Sequence, residues 1–383
     1  MIAKRIADDY YMRRALSLAW RGLDAAGPNP GVGCVLVKEH PDGARIVGEG
    51  YHAKYGGHHA EIEALSDAAE RGEDVRGAAA YVTLEPCAHF GKTPPCAQRL
   101  VKEGITRVVA GSEDPNPKTK GKGFGILRKA GVEVVTPCLE EECKWLNRGF
   151  FRYNIINRPW ITLKAAASLD GRMALKSEVL SGSNRTSLRG ITGELSLDWA
   201  HLMRAEHDGI LVGVGTALAY DPELTTRRTC GKSPLRVILD TKLSLPPSAK
   251  VLKGGCLVLT CGVVNKNEKR KALEDAGAEV CVLPAGKTGR VDLHAAVSAI
   301  TERGVRSLMV EGGPEVLSAF MKTGLCDSFA LFTAPLIMGE GAGFGDGLNF
   351  DFMGDAVKLR DVRVRRVGGD MLVEGIFRCS PAL

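Results

Sequence analysis

An α/β fold in two domains is the expectation for this chain, on three observations. Its 383 residues exceed what one ordinary hydrophobic core organises. Short apolar runs of strand length alternate with segments of helical periodicity along the whole chain, as in sheets covered by helices. A polar, proline-containing connection at residues 154–159 separates two such alternations and places the domains at residues 1–153 and 158–383.

In the first half, Met12, Ala15, Leu16, Ala19, Trp20 and Leu23 recur at helical spacing, with Asp8 or Asp9 as the N-cap. Gly27-Pro28-Asn29-Pro30-Gly31 breaks that helix. Residues 32–37 are continuously apolar, a buried strand, and a Pro41-Asp42-Gly43 turn leads into a second strand at 45–47. A helix is expected over residues 60–69, with Ile62, Leu65 and Ala69 on its inner face and Gly72 after its end. Strands at 81–84, 106–110 and 132–136 alternate with helices at 97–103 and 124–130. A last helix spans 140–151. The pattern predicts a mixed sheet sandwiched by helices.

Composition narrows the function. With 44% apolar and 25% charged residues the chain is globular. A formal charge of +6 and a pI near 8.7 are too weak to argue for nucleic acid, and no nucleic-acid partner is expected. Residues 1–9 are polar and no apolar run reaches membrane-span length, so neither a secretory signal nor a membrane partner is expected. Eleven cysteines, an odd number without framework spacing, point to a reducing, cytoplasmic setting, with Cys34, Cys256 and Cys281 as buried thiols.

The chemistry concentrates in His59-Ala60-Glu61, Pro86-Cys87 and Cys96. His-x-Glu followed by Pro-Cys and a further Cys is the signature of a zinc deaminase. His59, Cys87 and Cys96 would hold Zn²⁺ with one position open for water, and Glu61 would carry protons. No fourth Cys or His stands at suitable spacing for a closed structural site; His58 and His89 are set aside as bystanders. The loop between the two cysteines is longer than the two-residue gap of nucleic-acid base deaminases. In that loop Lys92 and Thr93 offer a cation and a hydroxyl for a phosphate or sugar, against the alternative of a plain solvated loop. Asn29 reads either as turn chemistry or as a substrate amide contact, and His52 either as a substrate contact or as a surface histidine.

These elements together resemble a known family. Asn29-Pro30-Gly31-Val32-Gly33, His59-Ala60-Glu61, Thr83-Leu84-Glu85-Pro86-Cys87, Gly91-Lys92-Thr93-Pro94-Pro95-Cys96 and Asp114-Pro115-Asn116-Pro117 look like the bifunctional riboflavin-biosynthesis deaminase/reductases. The resemblance implies a cytidine-deaminase-like α/β/α sandwich in the first half. It implies zinc on His59, Cys87 and Cys96, with Glu61 as proton shuttle. It also implies contacts from Asn29, His52, Lys92 and Thr93 to a phosphoribosyl-pyrimidine substrate.

In the second half, strands are expected at 160–165, 208–214, 235–239, 257–260, 279–283, 308–310 and 329–333. Helices fall near 194–206, 265–276, 292–303 and 314–323. No G-x-G-x-x-G fingerprint follows any strand, which disfavours a standard dinucleotide-binding domain. Leu163-Lys164, Ser168-Leu169-Asp170-Gly171, Ile191-Thr192-Gly193, Leu202-Met203-Arg204-Ala205, Asp221-Pro222-Glu223-Leu224-Thr225 and Glu311-Gly312-Gly313-Pro314 resemble the family's reductase domain. That likeness implies a dihydrofolate-reductase-like α/β fold and NADPH. Ala166, Thr216, Thr241, Gly313, Pro314 and Glu315 would line the cofactor, and Arg204, Leu224, Arg227 and Glu311 the substrate. Lys164 and Asp221 are candidates for the general acid.

Gly190 stands where the family usually has Trp, Tyr220 where it usually has Asp, and residues 177–189 form a longer segment than usual. The two altered positions match cofactor contacts. They keep open an alternative, an active deaminase joined to a degenerate, non-catalytic reductase-like domain. A tRNA or free-base deaminase is disfavoured by the long cysteine loop and the second domain. A zinc-stabilised binding module is told apart by turnover. A homo-oligomer is expected.

Overall fold

Residues 32–37 are apolar at successive positions because their strand is covered on both faces. β1 (Gly33–His40) sends Cys34 and Leu36 into one core and Val35 and Val37 into another. The computed structural model describes residues 2–89, 95–176, 190–262 and 267–383, with residues 2–4 and 24–26 as backbone only. The chain divides into two compact units, Met1–Asn157 with Leu383, and Arg158–Ala382.

The first unit is built on a mixed sheet. β1 pairs antiparallel with β2 (Gly43–Tyr51) and β3 (Ala79–Val82), and β4 (Arg107–Ala110) and β5 (Glu133–Val135) continue parallel from β3, in the order β2-β1-β3-β4-β5. On one face lie α1 (Ile2–Ala26) and α5 (Glu140–Leu146), through Met12, Ala15, Ala19, Cys143 and Leu146. On the other lie α2 (Ala60–Glu70), α3 (Cys96–Lys102) and α4 (Lys122–Lys129), through Ala60, Ala64, Ala97, Leu100, Phe124 and Leu127. The three layers are helix, sheet, helix, and both zinc-motif helices share one face.

Three local expectations change. Asp8 does not cap a helix, because α1 begins six residues earlier at Ile2. Its buried carboxylate instead accepts from Nη1 and Nη2 of Arg107, at 2.8 Å each, and from the Tyr81 hydroxyl at 2.9 Å. The inner face of α2 is Ala60, Ala64, Leu65 and Ala68 rather than Ile62, Leu65 and Ala69. The reason is the close seat of α2 on β2: a Cβ at Gly48 would stand 2.3 Å from the Ala64 carbonyl oxygen. The helix expected over 140–151 is broken at Asn147 into α5 and α6 (Arg148–Ile156). The amides of Thr83 and Glu85 donate to the Gly33 and Ser112 carbonyls.

In the second unit, β6 (Trp160–Ser168), β8 (Gly209–Gly213), β9 (Leu235–Leu239), β10 (Cys256–Thr260), β11 (Ala278–Val282), β12 (Ser307–Val310) and β13 (Ser328–Ala334) run parallel. The order is β11-β10-β9-β8-β12-β6-β13-β16-β15, closed by the antiparallel hairpin β15 (Leu359–Val367) and β16 (Asp370–Phe377). A separate pair joins β7 (Arg172–Leu175) to β14 (Gly341–Gly343). One face packs α10 (Leu293–Glu302) and α11 (Pro314–Thr323). The other packs α7 (Glu194–Ala205), α8 (Val214–Tyr220) and α9 (Asn267–Asp275).

The hairpin was absent from the sequence expectation. β15 is exposed along most of its length and carries four arginines and an aspartate among its hydrophobics, so it lacks an alternating apolar signal. Val214, expected as the end of a strand, opens α8, and Gly215 and Thr216 lie in its first turn. Residues 177–189 lie outside the described residues.

Candidate active sites

α2 and α3 begin at the same place, and this brings the zinc motif together. His59 is the residue before α2, and Cys96 opens α3 after Pro95. His59 Nδ1 lies 3.5 Å from Cys87 Sγ and 3.3 Å from Cys96 Sγ, and the Cys96 amide donates to Cys87 Sγ at 3.2 Å. The three ligand atoms lie within 4.8 Å of one another, and among the described residues this is the single such group of three or more. An imidazole and two thiols suit Zn²⁺, and three protein donors leave one position open. The thiols are strongly linked. Cys87 is held low chiefly by the Cys96 thiol donating to it, and Cys96 is pushed up correspondingly. Such a pair yields its protons to a bound cation.

Glu61, in the first turn of α2, is 3% exposed. Burial, and then the charge of Cys87, raise its carboxyl to about 7 against the opposing influence of His59. It can therefore hold or release a proton near neutrality, as a proton shuttle requires. His52 is buried against His59. Its Nδ1 lies 2.8 Å from the His58 carbonyl oxygen, its Nε2 3.1 Å from Asn29 Nδ2, and its ring meets that of His59 edge-on at 5.4 Å. Lys92 and Thr93 lie outside the described residues.

One residue here carried no sequence signal of its role. Glu85, just before Pro86-Cys87, accepts the amides of Asp114, Gly121, Gly123 and Phe124 at 2.9–3.2 Å. It pins the Asp114-Pro115-Asn116-Pro117 loop and the start of α4 against the Glu85-Pro86 segment. A Cβ at Gly123 would stand 1.9 Å from the Pro86 carbonyl oxygen, so this contact admits only glycine.

The second constellation sits at the carboxyl ends of parallel strands, where open α/β sheets place their ligands. The register Val310↔Leu163 sets Glu311 beside Lys164. Glu311 accepts Lys164 Nζ at 2.9 Å on one oxygen, and Arg204 Nη2 at 2.8 Å and Nε at 3.1 Å on the other. Burial would raise this carboxyl, but the charges of Lys164 and Arg204 outweigh it and hold Glu311 at about 2. Arg204 Nη1 also reaches the Thr225 carbonyl at 3.3 Å. The neighbouring Leu224 is buried at φ 55°, a left-handed conformation unusual for leucine. Arg227 is exposed, 3.9 Å from Glu223.

His201, which the sequence did not mark, is buried next to Arg204. Burial and the charges of Arg204 and Arg227 hold it down at about 4.

The expected cofactor residues line the same sheet edge. Ala166 is near the end of β6, Thr241 follows β9, Thr216 lies in the first turn of α8, and Gly313 precedes α11. Because β8 and β12 are neighbours, the starts of α8 and α11 lie side by side. A Cβ at Gly313 would stand 3.7 Å from Thr216 Oγ1. Pro314 takes the first helical position, no side chain caps α11, and Glu315 is paired with Arg290 at 2.7 Å. A glycine-opened, uncapped helix start suits a phosphate group. Tyr220 is exposed at the end of α8 and Gly190 lies near Leu197.

Comparison with known proteins covers both halves. Residues 5–112 match the cytidine and deoxycytidylate deaminase zinc-binding region, and residues 159–373 match the RibD C-terminal domain. The riboflavin biosynthesis protein RibD of Aquifex aeolicus (strain VF5) is 43% identical over 96% of this chain and 98% of its own length. That of Escherichia coli (strain K12) is 35% identical over 95% and 98%. The crystal structure of a diaminohydroxyphosphoribosylaminopyrimidine deaminase/5-amino-6-(5-phosphoribosylamino)uracil reductase from Thermotoga maritima superposes with a TM-score of 0.83. It is 35% identical and the match covers 98% of this chain and 99% of that one. One crystal form of Acinetobacter baumannii RibD gives a TM-score of 0.82 at 34% identity, covering 97% and 99%. With a deaminase half, a reductase half and relatives matched over nearly their whole length, the chain belongs to the bifunctional RibD family of riboflavin biosynthesis proteins.

Proposed function

We propose that His59, Cys87 and Cys96 hold the zinc of the deaminase half and that Glu61 is its proton shuttle. The observation that carries this is the meeting of one imidazole and two thiols at the start of α2, with buried Glu61 beside them. The chain is a bifunctional enzyme with zinc and NADPH as cofactors. Its first half deaminates 2,5-diamino-6-ribosylamino-4(3H)-pyrimidinone 5′-phosphate to 5-amino-6-(5-phosphoribosylamino)uracil. Its second half reduces the ribosyl side chain to ribityl.

Zinc, when bound, supplies a water acidified toward neutrality. Glu61 would take a proton from the attacking water as the ring carbon bearing the 2-amino group is hydrated. It then passes protons to the ring nitrogen and the departing ammonia. His52 fixes how Asn29 meets the substrate. The His58 carbonyl requires the His52 proton on Nδ1, so Nε2 accepts from the Asn29 amide nitrogen. Asn29 Oδ1 is then left to accept from an amino group of the pyrimidine. Lys92 and Thr93 are assigned to the phosphate and ribose on the family resemblance.

In the reductase half, NADPH supplies the hydride to the ribosyl C1′. Thr216, Gly313, Pro314 and Glu315, with Ala166 and Thr241 along the same sheet edge, are assigned to its binding. Glu311, held ionised, orients Lys164 and Arg204 at the substrate position, and Leu224 closes that position. Arg227, exposed and only loosely paired, is assigned to the substrate phosphate. No observation favours a silent reductase, and the 159–373 match runs through both Gly190 and Tyr220.

No helix among the described residues is long and apolar enough to cross a membrane. The eleven free cysteines support a cytoplasmic setting. The exposed edge strand β15, with Val362 and Val364 outward, supports a homo-oligomer; light scattering at the monomer mass would remove that part. The function itself is tested by ammonia release without NADPH and by NADPH consumption that begins only with the deaminated product.

A further inference from the structure

We infer that Asn147 is a positioning residue for the deaminase substrate, acting through the Asn29–Gly31 backbone. This rests on the assignment of Asn29 as a substrate contact. Asn147 lies at the break between α5 and α6 and is 3% exposed. Its side chain makes two hydrogen bonds to one residue 116 positions away. Oδ1 accepts the Gly31 amide at 2.8 Å, and Nδ2 donates to the Gly31 carbonyl at 2.8 Å. The pairing copies one rung of a β-ladder, with a side-chain amide in place of a strand.

Its own backbone is also fixed. The Asn147 amide donates to Cys143 and its carbonyl accepts from Phe151, so the side chain projects from a point held by two helices. Gly31 is the middle of three ties on one short segment. Asn29 meets His52 Nε2 at 3.1 Å, and the His52 amide donates to the Val32 carbonyl at 2.9 Å. Without Asn147, the hydrogen bonds left on residues 29–32, among the described residues, are the two from His52, and a buried donor and acceptor on Gly31 lose their partners.

Only a short primary amide serves both Gly31 groups at this distance. Aspartate keeps the acceptor but sets a carboxylate against the Gly31 carbonyl, and serine is too short to span both. None of these groups is a metal donor. The loss should therefore fall on substrate binding and leave the proton transfers intact.

The experiment uses full-length Asn147→Asp and Asn147→Ser, the second leaving no buried charge. It measures kcat and KM for ammonia release from the phosphoribosyl diaminopyrimidinone, zinc content, and NADPH consumption with the deaminated product. The expected result is KM raised about tenfold, kcat within about twofold of the parent, unchanged zinc, and unchanged reductase turnover. Unchanged KM in both variants overturns the inference. So does a joint loss of zinc and kcat in both, which marks a purely structural residue. Absence of ammonia release from the parent enzyme would instead strike the functional reading itself.

Discussion

Glu61→Gln is expected to lose ammonia release by about a thousandfold to ten-thousandfold while keeping the parent's zinc content. The glutamine matches the carboxylate in shape and leaves His59, Cys87 and Cys96 in place, but it can neither take a proton from water nor return one. Because Glu61 is buried and its carboxyl is raised to about 7, a neutral amide adds no new buried charge, so the fold should hold. An ammonia assay with metal analysis on the same preparation checks this. Normal deamination by the variant would remove Glu61 from its assigned role. NADPH consumption with the deaminated product should be unaffected, since Glu61 and Glu311 belong to different units.

Glu311→Gln should be the most damaging single change in the reductase half. Lys164 and Arg204 are each almost buried, at 11% and 13% side-chain exposure, and Glu311 is their shared counter-charge. Removing one partner of a buried ionic cluster costs about 3 kcal/mol, which corresponds to about a hundredfold in kcat/KM if it falls on the reacting complex. Deamination should persist. The parent also carries a pH signature that the variant lacks. Glu311 is lowered from an ordinary 4.5 to about 2, so it stabilises the folded unit above the ordinary value, and this is lost as pH falls toward 2. Melting curves between those limits should show the acid-induced loss in the parent and a smaller loss in Glu311→Gln. Parent-like turnover and melting in the variant would contradict the role given to this carboxylate.

How much of this was legible in the sequence depended on the range of the interaction. His59, Glu61, Cys87 and Cys96 were legible because metal ligation dictates residue type, and because the surrounding helix starts carry local signals. β9 and α11 were legible to the residue, since each is bounded by its own turn or capping chemistry. Partners far apart along the chain were not. Asp8 reads as a helix cap until Arg107, 99 residues on, is found against it. The salt bridge of Lys164 and Glu311 joins residues 147 apart; the family resemblance put both in the reductase half's site, but nothing near either in sequence predicts that they pair. The inner face of α2 was misread because the size of its side chains answers to the glycines of β2, not to its own periodicity. Asn147 reads as an ordinary helical asparagine unless Gly31 is seen across from it.

The central claim is that one chain performs two successive reactions, with the product of the first half as substrate of the second. Mass-spectrometric analysis of products from the diamino substrate, with and without NADPH, tests this most directly. Without NADPH, the sole product should be the deaminated phosphoribosyl compound, with an amino group exchanged for oxygen. With NADPH, that species should give way to one carrying two more hydrogens. A reduced product that retains both amino groups, or a deaminated product that NADPH leaves unchanged, would contradict it.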